Sequence, residues 1–364
     1  MVNDEHYMEI AINLAKSIGN QTSPNPNVGC IIVKDGLIIG MGAHLKSGEG
    51  HAEVLALNMA QEKAINSTVY VTLEPCNHTG LTPPCTEALI NAKVKRVVIA
   101  ETDPNPLVKG KGVNRLREAG IEVNIGILQN KLEGLNEFYR HYMVHKKPYI
   151  TLKTAISLDG KIATYSGDSK WITGKDSRND VHILRNNHDA IIVGVNTVIK
   201  DDPKLTVRLK DRKGRNPIRV VLDSNLRIPI NASLLHDGKS KVIIFTTTSI
   251  NQVKKEQLQE IGVEVIQTTS STTKVNLEEV LHILGTKKIT SALLESGSEL
   301  NAAFLKANLV NKIITYIAPK IIGGKSSIPS FGGEEIQTLS NAKELSIQEV
   351  MKIGNDLKIV SVPI

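Results

Sequence analysis

The chain has 364 residues, of which 41% are hydrophobic and 22% are charged. At roughly 150 residues per domain this length predicts two domains, and the composition excludes disordered, collagen-like and low-complexity proteins. No apolar stretch approaches the ~18 residues that a membrane span needs. The formal net charge is +7 but only 3% of the residues are aromatic, so the positive surplus favours small anionic ligands over nucleic acid.

Two features of the sequence indicate the compartment. The first residues, Met1 to His6, are acidic and polar and lack the basic-then-apolar layout of a signal peptide. The three cysteines, an odd number in a long chain, favour a reducing compartment over a disulfide framework. We therefore expect a cytoplasmic protein with no membrane partner.

The first half of the chain alternates helix and strand signals. Apolar residues at helical spacing predict a helix over 8–18, and the Asp35-Gly36 turn predicts a hairpin with strands at 29–33 and 37–39. Three helix–strand pairs follow, at 52–63 and 69–73, 87–92 and 96–100, and 112–119 and 121–123. This alternation is typical of an α/β layered domain.

A domain boundary is predicted after the next helix. An amphipathic pattern predicts that helix over 128–144, and the basic residues before Pro148 are a typical stop. Beyond it the pattern restarts without repeating the first half, with strands predicted at 149–153, 190–193, 218–222, 242–246, 292–294, 313–317 and 357–360 and helices at 176–187, 277–284 and 299–307. The sequence therefore predicts two unlike α/β domains in tandem, 1–147 and 148–364.

The strongest chemical signal is His51-Ala52-Glu53, followed by Pro75-Cys76 and Pro84-Cys85. One imidazole and two thiolates suit Zn²⁺, and three protein ligands leave a fourth position for water, whose pKa zinc lowers toward ~7. The helix starts predicted beside His51 and Cys85 favour thiolate over thiol. Glu53 is placed to carry a proton rather than to bind the metal, as in zinc deaminases.

Two other interpretations of this cluster stay open. A structural zinc needs a fourth closing ligand, which only His78 could supply. Alternatively, Cys76 and Cys85 are buried cysteines with no metal. Both interpretations predict that Glu53 has no chemical role.

The spacing of the two cysteines distinguishes this chain from most nucleoside deaminases. The usual pattern has two residues between them, and this chain has eight, residues 77–84. The run from Thr72 to Cys85, together with 24–29, His44 and 103–106, resembles the bifunctional riboflavin biosynthesis family, in which a diaminohydroxyphosphoribosylaminopyrimidine deaminase is fused to a reductase. The resemblance covers essentially the whole chain.

For residues 1–147 the resemblance implies a cytidine-deaminase-like α/β/α sandwich, with Glu53 as the catalytic residue and His51, Cys76 and Cys85 as zinc ligands. It also implies substrate contacts by four residues in Pro/Gly-rich loops, where sites concentrate: Asn25, His44, His78 and Asn105. An ordinary turn asparagine or surface histidine is the alternative for each. The family usually has Lys or Arg where this chain has Leu81, so a charged substrate contact is absent there.

The second half has no Gly-x-Gly-x-x-Gly fingerprint. The run 294–300 predicts a strand, a small polar turn and a helix start, whose backbone N–H groups hold phosphate well, although most such turns are ordinary helix caps. The motifs at 153–163, 169–173, 194–197 and 201–208 resemble the reductase domain of the same family, which is similar in fold to dihydrofolate reductase. The second domain is therefore expected to be an α/β domain of that type.

That resemblance implies two groups of ligand contacts in the second domain. NADPH would be held by Ala155, Trp171, Thr197, Asp201, Ser224, Gly297 and Ser298. The phosphorylated substrate would be held by Lys153, Ser169, Arg185, Leu205, Arg208 and Glu295. Arg185 and Arg208 suit phosphate because guanidinium groups form forked hydrogen bonds, with plain surface solvation as the alternative. Trp171 is alternatively core filler, and Ser296 departs from the family's Gly or Ala.

The expected function is a bifunctional enzyme of riboflavin biosynthesis. It would deaminate a phosphorylated ribosylaminopyrimidine by zinc-dependent hydrolysis and then reduce the ribosyl chain to a ribityl chain with NADPH, Lys153 or Asp201 assisting protonation. The expected partners are these small phosphorylated pyrimidines and further copies of the chain in a homo-oligomer. An RNA-editing deaminase would instead need a short cysteine spacing and aromatic or basic clusters, and a zinc-stabilised binding module would keep its function in a Glu53→Gln variant.

Overall fold

The computed structural model describes residues 4–80, 82–106, 108–269 and 273–364. The chain divides into two compact units, Met1–Lys146 and Lys147–Ile364. Within the described ranges, none of the helices combines the length and apolar character that crossing a membrane demands.

The first unit is a three-layer α/β/α sandwich. Its elements are α1 Asp4–Ser17, β1 Gly29–Lys34, β2 Leu37–Ala43, α2 Ala52–Ala60, β3 Thr68–Val71, α3 Cys85–Asn91, β4 Arg96–Ile99, α4 Lys111–Glu118, β5 Glu122–Ile125 and α5 Glu137–His145. The strand order is β2-β1-β3-β4-β5, with β1 antiparallel to both of its neighbours and β3, β4 and β5 parallel. The predicted α/β/α sandwich is confirmed.

Alternating side chains of the central strands form two apolar cores in this unit. Cys30, Val69 and Val97 face one way and pack with α2 to α5, whereas Ile31 and Tyr70 face the other way and pack with α1. This alternation follows from the twofold period of a strand. Helix α2 lies directly on β2, which is possible because Gly42 has no side chain: a Cβ atom there would stand 2.2 Å from the Ala52 carbonyl oxygen. The close approach places the start of α2, with His51 and Glu53, against the sheet.

The second unit is built on a nine-stranded mixed sheet. Its elements are β6 Tyr149–Ser157, β7 Lys161–Ala163, α6 Lys175–Asn187, β8 Ala190–Gly194, α7 Val195–Asp201, β9 Ile218–Leu222, α8 Ser233–His236, β10 Val242–Thr246, α9 Gln252–Glu260, β11 Glu264–Gln267, α10 Leu277–Thr286, β12 Ser291–Leu294, α11 Ser298–Lys306, β13 Lys312–Ala318, β14 Ile328–Pro329, β15 Leu345–Ile353 and β16 Asp356–Pro363. The order is β11-β10-β9-β8-β12-β6-β13-β16-β15. The pairs β13–β16 and β16–β15 are antiparallel and the other pairs are parallel.

The parallel part of this sheet positions the second site. Strands β8, β9 and β12 are parallel, so the turns that follow them lie at one edge of the sheet. The turns after β9 and β12 carry Ser224 and Gly297, and β8 leads directly into α7, whose first turn carries Asn196. The two faces of the sheet are buried under separate apolar clusters, which hold this edge rigidly.

The predicted helix over 128–144 is wrong. Residues Gln129–Leu132 form a short 3₁₀ turn and α5 begins only at Glu137. The backbone is left-handed at Leu128 (φ 57°) and at Gly134 (φ 77°), and a right-handed helix cannot continue through such residues. The apolar periodicity is real because Leu132 and Tyr139 are both buried, but they pack on opposite faces of the sheet.

Candidate active sites

Three predicted metal ligands come together in the first unit. His51 precedes α2 in an extended conformation, Cys85 is the first residue of α3, and Cys76 lies between β3 and α3. His51 Nδ1 lies 3.2 Å from Cys85 Sγ and 3.6 Å from Cys76 Sγ. In the described part of the chain, this is the one group of His, Cys, Asp or Glu residues whose ligand atoms lie close enough to hold a metal, within 4.8 Å of one another.

The donor set fits Zn²⁺ with an open position. One nitrogen and two sulfur ligands match a catalytic zinc site, which has three protein ligands. His78, the residue that could have closed the site, is exposed and does not belong to the cluster. The geometry therefore favours a catalytic zinc ion over a structural one.

The start of α3 stabilises a thiolate, but on Cys76 rather than on Cys85. Cys76 Sγ accepts hydrogen bonds from the Cys85 thiol and from the Cys85 backbone N–H, at 3.4 Å for the latter. These bonds and the nearby His51 lower the pKa of Cys76 to about 4. The same contact raises the pKa of the Cys85 thiol, which is the donor. The hydrogen bonds of Cys76 thus favour its thiolate form, which is the form that binds a metal.

Glu53 lies beside this cluster and is buried, with only 4% of its surface exposed. Burial, and then the negative charge of Cys76, raise the pKa of Glu53 to about 7. A carboxyl group with such a pKa both accepts and donates a proton near neutral pH. The geometry agrees with the proton-carrying role predicted for Glu53.

Two of the four predicted substrate contacts of this unit form a pair next to the metal ligands. Asn25 Nδ2 lies 3.1 Å from His44 Nε2, and His44 Nδ1 lies 3.2 Å from the Gly50 carbonyl oxygen. The ring centroids of His44 and His51 are 5.2 Å apart. Burial lowers the pKa of His44, so its imidazole is neutral near pH 7.

The other two predicted contacts lie in different surroundings. His78 is on the exposed part of the loop between the cysteines, and Leu81 of that loop lies outside the described residues. Asn105 belongs to the segment after β4, where its backbone N–H donates to the Asp103 carboxylate at 2.8 Å. Of the four predicted contacts, Asn25 and His44 are thus the two that a hydrogen bond joins next to the metal ligands.

Thr82 is a neighbour of the metal site that the sequence did not reveal. Its Oγ1 lies 3.4 Å from His51 Nε2, the ring nitrogen that points away from the sulfurs. A partner on the second nitrogen fixes the orientation of a metal-binding histidine. The only sequence signal for Thr82 is its place within the unusually long loop between the cysteines.

All thirteen residues predicted to contact ligands in the second unit line one cavity of about 1680 Å³. They come from β6, from the turns after β8, β9 and β12, from α6 and α7, and from the loops between these elements. The members are Lys153, Ala155, Ser169, Trp171, Arg185, Thr197, Asp201, Leu205, Arg208, Ser224, Glu295, Gly297 and Ser298. A cavity of this volume holds a dinucleotide and a small substrate together.

A buried ion cluster forms one wall of the cavity. The Arg185 guanidinium donates two hydrogen bonds to Glu295, and Lys153 Nζ lies 3.6 Å from Glu295 Oε2. Burial by itself would raise the pKa of Glu295, but the charges of Arg185 and Lys153 lower it to about 2. Burial also lowers the pKa of Lys153, whose charge is opposed by Arg185 and supported by Glu295.

Next to this cluster lies His182, a second residue that the sequence did not reveal. It is 9% exposed and lines the cavity, and its Nε2 lies 3.4 Å from Arg208 Nε. Burial and the charges of Arg185 and Arg208 lower the pKa of His182 to about 4, so the ring is neutral. A neutral imidazole accepts the hydrogen bond from Arg208 Nε, so the other guanidinium nitrogens of Arg208 stay available to other partners. Only its position one turn before Arg185 on α6 could have indicated it.

The helix start predicted to bind phosphate is present. Gly297 precedes α11 in an extended conformation, and Ser298 is the first residue of that helix. Ser298 is 8% exposed, and no described residue hydrogen-bonds its buried Oγ. A buried hydroxyl without a protein partner at a helix N-terminus fits a phosphate group of NADPH.

The exposed side of the cavity has polar and aromatic groups. The Arg178 guanidinium lies 4.7 Å from the centre of the Trp171 ring, which is 63% exposed, so Trp171 is not core filler. Lys170 Nζ lies 3.8 Å from Asp201 Oδ1. Ser224 Oγ accepts from the Val275 backbone N–H at 3.1 Å and fixes the turn after β9.

Comparison with known proteins agrees with both sites. Residues 1–101 match the model of the cytidine and deoxycytidylate deaminase zinc-binding region, and residues 148–359 match that of the RibD C-terminal domain. The chain is 44% identical over 360 residues to riboflavin biosynthesis protein RibD of Bacillus amyloliquefaciens, covering 99% of this chain and 96% of that protein. It is 45% identical over 356 residues to RibD of Aquifex aeolicus (strain VF5), covering 98% and 97%.

Solved structures give the same result over the full length. Acinetobacter baumannii RibD, form 1, matches with a TM-score of 0.90 at 40% identity, covering 99% of each chain. A diaminohydroxyphosphoribosylaminopyrimidine deaminase/5-amino-6-(5-phosphoribosylamino)uracil reductase from Thermotoga maritima matches with a TM-score of 0.86 at 37% identity, also over 99% of each chain. Fold and sites together define a zinc deaminase joined to a reductase. The chain belongs to the RibD family of bifunctional riboflavin biosynthesis enzymes, with Zn²⁺ and NADPH as cofactors.

Proposed function

We propose that residues 1–147 deaminate and residues 148–364 reduce the same phosphorylated ribosylaminopyrimidine in two consecutive steps. The observation that carries this division is that the zinc-type donor set with Glu53 lies in the first unit, whereas the cavity with Lys153, Glu295 and the α11 start lies in the second. Full-length relatedness to RibD proteins weighs against an RNA-editing deaminase and against a binding module without chemistry.

In the deaminase site, His51, Cys76 and Cys85 hold Zn²⁺. When bound, the metal supplies the Lewis acidity that makes water a nucleophile at neutral pH. Glu53 would take a first proton from that water and give it to the pyrimidine ring nitrogen as the oxygen adds to the ring carbon. It would then carry the remaining hydroxyl proton to the amino group, which leaves as ammonia while the carbonyl forms. A pKa of about 7 supports both transfers.

Asn25 and His44 are proposed to orient the pyrimidine. The neutral His44 donates from Nδ1 to the Gly50 carbonyl, so its Nε2 accepts from the Asn25 amide. This arrangement fixes the Asn25 side chain with its carbonyl oxygen available to a substrate N–H. His78 and Asn105 are proposed to contact the ribose phosphate or the pyrimidine edge.

In the reductase site, Gly297 and Ser298 at the start of α11 are proposed to bind a phosphate of NADPH, with Ala155, Trp171, Thr197, Asp201 and Ser224 along the rest of the cofactor. When bound, NADPH supplies the hydride. Ser169, Arg185, Leu205, Arg208 and Glu295 are proposed to hold the substrate and its phosphate.

The ribosylamino group would open to an imine, and Lys153 is proposed to give the proton that the imine nitrogen takes up when hydride adds to the sugar carbon. It faces the cavity, is nearly buried, and has a lowered pKa that eases proton loss. Asp201, the alternative donor, is paired with Lys170 toward the exposed side. The negative charge of Glu295 keeps Lys153 protonated until hydride transfer.

Mass spectrometry of the substrate, incubated with the zinc-loaded enzyme, tests this proposal. Replacement of an amine by oxygen is expected without NADPH, and addition of two hydrogens is expected only with it. Glu53→Gln should stop the first change, and Asp201→Asn should impair only the second. No mass change with the wild-type enzyme, or deamination by Glu53→Gln, would refute the proposed chemistry.

The proposal also includes the compartment and the partners of the chain. All three cysteines are free thiols, as expected in the cytoplasm. We expect a homo-oligomer whose ligands are phosphorylated pyrimidines rather than nucleic acid. Sedimentation of the purified protein, alone and with RNA, would check both expectations.

A further inference from the structure

We propose that Glu74 is a positioning residue of the deaminase site: its carboxylate fixes the segment that carries Asn105 relative to the metal ligand Cys76. This inference rests on the proposed substrate contact of Asn105. Glu74 is two residues before Cys76 and is 3% exposed, although a buried glutamate is rare without partners.

The partners of this carboxylate are four backbone N–H groups of one segment. Glu74 Oε2 accepts from Asp103 at 3.2 Å and from Gly110 at 3.0 Å. Glu74 Oε1 accepts from Gly112 at 3.0 Å and from Val113 at 3.2 Å. Both carboxylate oxygens are therefore saturated, and a side chain outside α4 satisfies N–H groups of its first turn.

The segment also lies in backbone contact with the metal-ligand stretch. A Cβ atom at Gly112 would stand 2.1 Å from the Pro75 carbonyl oxygen, so only glycine allows this approach. The Glu74 backbone N–H donates to the Glu101 carbonyl at 2.9 Å. The stretch 74–76 and the segment around Asp103 therefore share one rigid set of contacts.

A second link leads from this set to Asn105. The Asp103 carboxylate accepts from the Asn105 backbone N–H at 2.8 Å and from the Tyr139 hydroxyl at 3.0 and 3.1 Å. Asp103 and Tyr139 are both buried. Glu74 holds Asp103 by its backbone, and Asp103 holds Asn105 by its side chain. Displacement of the segment would move Asn105, whereas the metal ligands, Glu53 and the Asn25–His44 pair lie on other parts of the chain.

Glu74→Gln is the decisive substitution because it keeps the size of the side chain. A glutamine has one carbonyl oxygen, so its amide group faces two of the four N–H donors and repels them. In the zinc-loaded full chain, we expect KM for deamination to rise about tenfold, as for the loss of one substrate hydrogen bond, with kcat and zinc content nearly unchanged. The reductase constants should not change.

The matched control is Asp4→Asn, on the opposite face of the same sheet. This variant also loses part of a charged, partly buried network, the hydrogen bonds of Asp4 with Arg96 and Tyr70. Those hydrogen bonds do not involve Asn105 or the segment that carries it. The substitution should lower the melting temperature and leave KM unchanged. Glu74→Asp is a milder second variant. It keeps the charge but shortens the side chain, so it should raise KM less, and it keeps the test available if Glu74→Gln does not fold.

A double variant separates the inference from the proposed function. If Glu74 acts through Asn105, KM of Glu74→Gln/Asn105→Ala should equal that of Asn105→Ala alone. If Asn105→Ala raises KM and Glu74→Gln only lowers the melting temperature, Glu74 is a helix cap and this inference is overturned. Loss of zinc in Glu74→Gln would also overturn it. If Asn105→Ala leaves KM unchanged, the proposed contact of Asn105 fails and the inference fails with it.

Discussion

Arg185 Nε and Nη2 donate to the two oxygens of the Glu295 carboxylate at 2.7 and 3.0 Å, and the side chains are only 14% and 11% exposed. Lys153 shares the same carboxylate. One negative charge thus compensates two cations in the wall of the reductase cavity. Since buried charges are stable only when paired, Glu295 is required for folding of the wall as well as for its chemistry.

Glu295→Gln should therefore destabilise the second unit by about 3–5 kcal/mol, because two buried cations lose their partner. Reduction should be lost while deamination continues. Urea unfolding and separate assays of the two activities check this. The matched control is Glu334→Gln: the ion pair of Glu334 with Lys306 is exposed to solvent, so its loss should change the free energy of unfolding very little. Equal stability of the two variants would contradict the prediction.

Removal of one metal ligand should affect only the first unit. Cys85→Ser should lose zinc and lower deamination at least about a hundredfold, because even the outer partners of metal ligands contribute tenfold to a hundredfold. NADPH binding should persist, since its cavity lies in the other unit. Elemental analysis and cofactor titration measure both effects.

The control for this substitution is Cys30→Ala. Cys30 is a buried cysteine of β1 whose pKa is raised by burial, and it is not among the metal ligands. Its variant should keep zinc. Retention of zinc by Cys85→Ser, or loss of NADPH binding with zinc, would disprove the proposed separation of the two sites near residue 147.

The sequence predicted the parts of the sites that depend on residue type and local spacing. The ligand set follows from His51, Cys76 and Cys85 because few residue types bind zinc. Local patterns also place His51 and Cys85 at helix starts and Cys76 after a strand. The break between Leu128 and α5 was not predictable, because non-glycine residues rarely adopt a positive φ and the apolar period continues through it.

Contacts between residues far apart in the chain could not be predicted from the sequence, for a different reason. The donors to Glu74 lie 29 to 39 residues away and are backbone N–H groups, which carry no residue signature. His182 looks like an ordinary helix residue until α6 is placed on the cavity with Arg208 beside it. Both roles come from packing, so only the fold reveals them.

Ser298→Ala should weaken NADPH binding. The hydroxyl is buried at the start of α11 without a hydrogen bond to any described residue, so its bond to an anionic phosphate would be worth about 1.5–3 kcal/mol. The dissociation constant should rise roughly tenfold to a hundredfold. Titration followed by NADPH fluorescence measures it. Ser240→Ala is the control and should bind NADPH normally, because its hydroxyl donates to the Pro217 carbonyl and neither residue lines the cavity. An unchanged constant for Ser298→Ala would show that this hydroxyl does not contact the cofactor.

His188 should make the second unit sensitive to acid. Burial lowers its pKa to about 4, from about 6.5 in the unfolded chain. Its Nδ1 donates to the Leu184 carbonyl and its Nε2 accepts from the Thr151 hydroxyl, so the folded unit holds the neutral ring. Between pH 6.5 and 4, His188 is protonated in the unfolded chain but stays neutral in the folded unit. The free energy of unfolding should therefore fall as the pH falls, by up to about 1.4 kcal/mol per pH unit for this group.

His188→Gln should remove that contribution while keeping a donor and an acceptor. Urea unfolding at several pH values from 7 to 4.5 should give a slope that is shallower than wild type, whereas the two slopes should agree above pH 7. Thr151→Val is the control, because it removes the hydrogen bond at 2.9 Å but leaves the titrating ring. That variant should be less stable at every pH. Parallel curves for wild type and His188→Gln below pH 6.5 would show that His188 takes up its proton without unfolding the unit.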